Sequence, residues 1–131
     1  RRLQQRLELA RVGLAGGVAE HRAGFPDSPL AQGEPTARAI VAAADAGDLL
    51  ALAVLGDALE AWQAVVAIYA MILNPERIVI AGGLGRALAP RLLAAGQQAL
   101  KARVLPFAAG LTFALAEVES PAVGAAAAAF A

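Results

Sequence analysis

Cysteine is absent from the 131 residues. That excludes a disulfide framework and a thiolate metal site, and nothing points to an oxidising compartment. Histidine occurs once, as His21, beside Arg22 and before a loop. One histidine cannot furnish a convincing Ser-His-Asp set, and here it reads as a surface residue. Charge is scarce and balanced: 17% of residues are charged, Lys+Arg 11 against Asp+Glu 11. This gives no general electrostatic case for nucleic acid or an anionic membrane. Long apolar runs are missing too. The longest, Ala64 to Leu73, spans roughly 15 Å as a helix, about half of what a bilayer requires. The opening Arg1-Arg2-Leu3-Gln4-Gln5-Arg6-Leu7-Glu8 lacks the apolar centre of a secretory signal. The chain therefore reads as soluble and cytoplasmic, with no membrane partner. It opens without Met inside an expected helix, which reads as part of something longer.

What is present is apolar and helical. Apolar residues make up 59% of the chain, which argues against disorder and for a real core. Residues 1–23 read as an N-terminal helix, with Leu3, Leu7, Ala10, Leu14 and Val18 at alternating four- and three-residue steps. Gly13, Gly16 and Gly17 weaken its second half. Residues 24–36, with Pro26, Asp27, Pro29, Gly33 and Pro35, read as a loop, either a mobile connection or a lid over a cleft. Residues 37–131 read as an α/β lobe. Thr36 caps a helix from Ala37 to about Ala46, Gly47 stops it, and Asp48 caps the next. That next helix runs from Leu49 to Leu73. From Ala64 onward it is apolar all round, the pattern of a helix enclosed in a core. Trp62 and Tyr69, seven apart, share a face and read as core residues.

The stretch that organises the chain follows. Pro75 cannot continue the helix, and Asn74 before it is expected in extended geometry. Arg77 to Ala81 is a short strand rich in β-branched residues, as expected for a strand covered on both faces. Gly82 and Gly83 then turn the chain into a helix from Leu84 to about Val104, with Pro90 in its first turn. Leu111 to Val118 reads as a second strand. Ser120-Pro121 opens an Ala-rich terminal helix. The fold class is α/β, rich in helix and short of strands for a complete nucleotide-binding fold.

Few residues can carry chemistry. The glycine turn is not a P-loop, because no Gly-Lys-Ser/Thr follows. Gly83-Leu84-Gly85 begins a dinucleotide-type pattern, but Leu88 stands where the third glycine belongs. Two readings remain: backbone amides of Gly82 and Gly83 meeting a nucleotide, or a tight turn without a ligand. Glu117 and Glu119 alternate on a strand and so share a side, as a metal or acid–base pair or as a solvated edge. Asp57 and Glu60 read as a solvent face. Arg86, Arg91, Lys101 and Arg103 lie along one helix, for phosphate or for solvent.

An ordered set of short motifs carries a resemblance. These are Ala-Gly-Asp at 46–48, Leu-Asn-Pro-Glu at 73–76, Ile-Val-Ile-Ala-Gly-Gly at 78–83, Val-Leu-Pro at 104–106 and Val-Gly-Ala-Ala at 123–126. Over about Thr36 to Ala129 the chain resembles the C-terminal part of the ROK family of bacterial repressors and sugar kinases. The resemblance implies the C-terminal lobe of an actin-like, hexokinase-like (ribonuclease H-like) ATPase fold, incomplete here. It implies that Gly82 and Gly83 face a nucleotide, ATP with Mg²⁺ in a full-length kinase. The aspartate base, most sugar contacts and the zinc motif belong to the family's N-terminal part, so no zinc site is expected in this chain and no catalytic residue. Carried back to the start of the chain, the register sets Arg2 where the zinc motif has Cys. Gln4 falls where kinases have a Glu that touches sugar hydroxyls. Gln keeps hydrogen-bonding capacity and loses the charge, which weighs against a zinc-dependent kinase. Ser120-Pro121 also departs from the family's closing motif.

The resulting expectation is the sugar-sensing effector part of a ROK-type transcriptional regulator. The alternative is the nucleotide-side lobe of an ATP-dependent hexose kinase. Implied partners are a sugar or sugar phosphate, the missing N-terminal lobe and further copies of the chain. DNA contact would belong to a helix-turn-helix elsewhere. No turnover is expected of residues 1–131 alone.

Overall fold

Side-chain caps shape the first half of the fold. The computed structural model describes residues 13–117. They are mixed α/β, mostly helical, with a small two-stranded parallel sheet. The chain divides between Ala58 and Leu59 into two compact units.

The first unit is helical. Its described part begins with α1, residues 13–21. Leu14 is half-buried and Val18 fully buried, while Leu3, Leu7 and Ala10 lie outside the described residues. Two short 3-10 turns follow, Arg22–Gly24 and Pro29–Ala31. Helix α2 is Ala37–Asp45, and α3 begins at Leu49. The Thr36 hydroxyl accepts from the Ala39 amide at 3.2 Å, and Asp48 Oδ1 accepts from the Ala51 amide at 2.8 Å. Each satisfies an amide that a helix start leaves unpaired. Gly47, at φ +87°, makes the left-handed turn between α2 and α3. Ile40, Leu50 and Leu55 are the largest fully buried side chains. Gly17 has a packing role: a Cβ there would stand 2.9 Å from Val54 Cγ1, so its bareness lets α1 approach α3.

The loop at 24–36 is tied down. Ser28 accepts from the Leu30 amide and donates to Asp48 Oδ2 at 2.8 Å, and Leu30 is buried. It is an anchored connection within this unit.

The second unit holds the sheet. Helix α3 runs Leu49–Leu73 and contributes its second part here. Strand β1 is Arg77–Ile80, α4 is Gly82–Ala87, α5 is Ala89–Arg103 and β2 is Thr112–Leu115. The strands pair in parallel, from Arg77 opposite Thr112 to Ile80 opposite Leu115. A parallel pair needs a crossover, and α4 and α5 supply it. Val66 and Ala70 of α3 share a buried cluster with Ala99, Leu100, Ala108 and Leu111, and Trp62, Ile78 and Phe113 pack against it. The Trp62 indole donates to the Leu92 carbonyl at 2.9 Å, and its ring meets Phe113 at 6.4 Å. A Cβ on Gly96 would stand 2.6 Å from Phe113 Cζ, so α5 lies close on β2.

Several expectations are corrected. Asn74 has φ +42°, in the left-handed region, where extended geometry was expected. Closing α3 outweighs the preference before proline: the Asn74 amide donates to Ala70, and Asn tolerates this region better than most residues. The helix expected from Leu84 to Val104 is two helices broken at Leu88. Pro90, without an N–H, does lie in a first turn, but that of the second helix, which begins at Ala89. Both strands are shorter than expected, ending at Ile80 and Leu115, and Val118 lies outside the described residues. Strand β1 is also not covered on both faces: Ile80 is buried, while Val79 on the other face is 57% exposed.

Nor is α3 enclosed beyond Ala64. Val66 and Ala70 are fully buried, but Ile68, Tyr69, Ile72 and Leu73 are at least half exposed. Only one stripe of the helix meets the layer made by α5 and the sheet. Tyr69 is therefore outside the core that Trp62 joins. By length and composition alone, α3 is long and apolar enough to cross a bilayer.

Candidate functional site

The carboxyl ends of the two parallel strands form the candidate site, the edge where open α/β sheets receive ligands. Strand β1 ends at Ile80, and Ala81 is extended at φ −129°, ψ 168°. Gly82 follows at φ +82°, a backbone region that L side chains rarely adopt. A Cβ on either Gly82 or Gly83 would meet nothing within 4 Å, so the backbone there borders open space. Ala81 offers no side-chain acceptor to the first amides of α4. Helix α4 has only six residues. What so short a helix can present at this edge is its first amides, not a macrodipole. Gly85 serves packing instead: a Cβ there would be 2.9 Å from Ile80 Cγ2, so its bareness seats α4 against β1.

Arg86 joins this edge. Its Nη2 donates to the Ala116 carbonyl at 3.0 Å and to the Glu117 carbonyl at 3.5 Å. It thereby ties α4 to the segment just past β2, and its exposed position keeps a positive charge beside the glycine turn. Sequence alone gives no sign of this tie, because its acceptors are backbone carbonyls that any residue supplies. Amides and one guanidinium can receive hydroxyl or phosphate oxygens. Glu117 is exposed and its carbonyl is used by Arg86. Glu119, its expected companion, lies outside the described residues, as does Gln4.

The remaining cations do not gather here. Arg91 sits near the start of α5 and is half-buried and engaged. Lys101 and Arg103 are in the last turn of α5, on the way to the start of β2. Asp57 is not merely solvated: His21 Nε2 lies 2.5 Å from its Oδ2. That pair ties α1 to α3 within the first unit. A shallow depression lined by Pro29, Leu30, Ala43, Ala46, Gly47 and Asp48 is also in the first unit. Its one charged group is spent, since Ser28 and the Ala51 amide take both Asp48 oxygens. Among the described residues no group of three His, Cys, Asp or Glu side chains is placed to hold a metal ion. No protein-family model, curated protein or solved structure matches the chain.

Proposed function

We propose that this chain is the sugar-sensing effector part of a ROK-type transcriptional regulator, from the C-terminal lobe of an actin-like fold. The observation that carries the reading is Gly82: a left-handed glycine directly beyond β1 of a parallel pair, bordering open space. The ordered motifs from Ala-Gly-Asp at 46–48 to the glycine pair support the family. In this reading the amides of Gly82 and Gly83 and the guanidinium of Arg86 meet oxygen atoms of a sugar, a sugar phosphate or a nucleotide. The same glycine pair supports a second reading, the nucleotide-side lobe of a hexose kinase that uses ATP and Mg²⁺. In either case the acid–base group comes from outside this chain. Half of a cleft cannot pre-organise phosphoryl transfer, so residues 1–131 alone give no turnover.

The test is the reading frame upstream of Arg1, followed by titration of the encoded protein with hexoses, hexose phosphates and ATP. A winged-helix segment upstream selects the regulator. An Asp-Gly-Gly-Thr phosphate loop with an Asn-Asp pair selects the kinase. Gly83→Val, at a position without positive φ and with open space for a side chain, is expected to weaken ligand binding at least tenfold while circular dichroism is unchanged. Absence of both upstream segments, or binding indifferent to Gly83→Val, overturns the reading. Turnover by residues 1–131 with sugar, ATP and Mg²⁺ overturns the inactivity of the isolated chain.

A further inference from the structure

Parallel pairing also brings the two strand starts to one edge of the second unit, opposite the glycine turn. Helix α3 ends there at Leu73, just before β1, and α5 ends there at Arg103. Ala70 shares the buried cluster with Ala108 and Leu111. The end of α3 and the 3-10 turn Pro106–Ala108 are therefore neighbours. Four large apolar side chains at this edge are mostly in solvent: Ile72 75%, Leu73 67%, Phe107 65% and Leu105 56% exposed. Arg77, Lys101 and Arg103 are exposed beside them, and none is held in an ion pair among the described residues. Glu76 is the one acid in these terminal segments. A chain balanced in total is thus locally basic and apolar at one end.

We infer that this strand-start edge docks onto an anionic lipid surface. Phe107, Leu105, Ile72 and Leu73 enter the headgroup boundary, and Arg77, Lys101 and Arg103 face the lipid charge. Apolar tips flanked by cations are the pattern of an interfacial anchor. The charge complementarity names this occupant over a second copy, whose identical patch would bring like charges together. The mode is docking, not spanning: Val66 and Ala70 are fully buried in the unit's core, and a spanning α3 would have to give up that packing. The inference is independent of any ligand at the opposite edge.

The experiment is vesicle co-sedimentation of the full chain. Phosphatidylcholine vesicles containing phosphatidylserine are compared with phosphatidylcholine alone, at low and at physiological salt. Binding is expected on the anionic vesicles and is expected to fall with salt. Lys101→Gln with Arg103→Gln is expected to lower partitioning at least tenfold, at about fivefold for each cation near such a surface. Leu105→Ser with Phe107→Ser is expected to lower it at least tenfold, with circular dichroism confirming the fold. The Gln pair sits on an exposed helix turn and keeps the question decidable if the Ser pair unfolds. No binding to anionic vesicles, equal binding to neutral ones, or indifference to the Gln pair overturns the inference. So does a dimer, seen by sedimentation, that the Ser pair dissociates in a chain that ignores vesicles, for then the patch joins two copies.

Discussion

Polar side chains with specific partners recur at the joints of the first unit, and bare positions recur in the second, although Gly17 packs α1 on α3 in the first and Trp62 and Arg86 make side-chain ties in the second. In the first, Thr36 and Asp48 cap helices, Ser28 bridges the loop to Asp48, and His21 meets Asp57. In the second, bare positions at Gly85 and Gly96 let helices lie on strands, and the burial is of small residues such as Ala70, Ala99 and Ala108. Polar anchors fix geometry with few atoms and tolerate packing changes nearby. Close packing through small residues spreads the same constraint over a surface, where a single added methyl is felt.

The largest effect is expected from the first unit's core. Leu50 is fully buried, so Leu50→Ala should cost about 2–5 kcal/mol. Hydrogen exchange should show the loss in α1 and α2 while amides of β1 and β2 keep their protection. Equal loss in the strands would mean the two units unfold as one, and the contrast between them would be of parts only. Next comes Gly96→Ala. The new methyl meets the Phe113 ring tip, and overpacking should cost about 1–2 kcal/mol even after the better helix propensity of Ala offsets part of it. A chemical melt showing higher stability would mean the ring swings aside freely and the bare position is not needed.

Asp48→Ala should cost about 1–2 kcal/mol, since it removes the cap of α3 and strands the Ser28 hydroxyl. A much smaller loss in the same melt would demote polar anchoring in the first unit. The smallest change is expected for His21→Ala. Asp57 is 64% exposed, and exposed ion pairs contribute under about 1 kcal/mol, less still in high salt. A loss several times larger would show that this pair, and not the caps, holds α1.

These differences also explain what the sequence made legible. The ends of α3 were readable because Asp48 and Asn74-Pro75 are strong punctuation on either side of an apolar run. The breadth of its burial was not, because a helix apolar all round does not say which side the layer of α5 and the sheet will meet. Tyr69 falls on the open side for that reason. The break at Leu88 was hidden by counting Pro90 into the first turn of a helix begun at Leu84, where it is the seventh residue; a first turn holding Pro90 has to begin at about Ala89. At the candidate site Gly82 was legible from its place after a β-branched run. Gly85 and Gly96 were not, since a glycine read alone does not reveal which atom it makes room for. Arg86 was seen as a charge and found to be a tie, through carbonyls without sequence identity.

Asn74 is the one non-glycine residue with positive φ among those described. Its substitution alphabet is therefore short: Gly fits without strain, Asp fits tolerably, and β-branched residues do not. A variant outside that alphabet either holds the turn under a strain of about 1–2 kcal/mol or ends α3 one residue earlier or later. Because the side-chain period of a strand is two, that slip exchanges the faces of β1, turning Ile78 and Ile80 away from the core and Val79 into it. One dihedral angle at the end of a helix thus sets the parity of the strand that leads to Gly82.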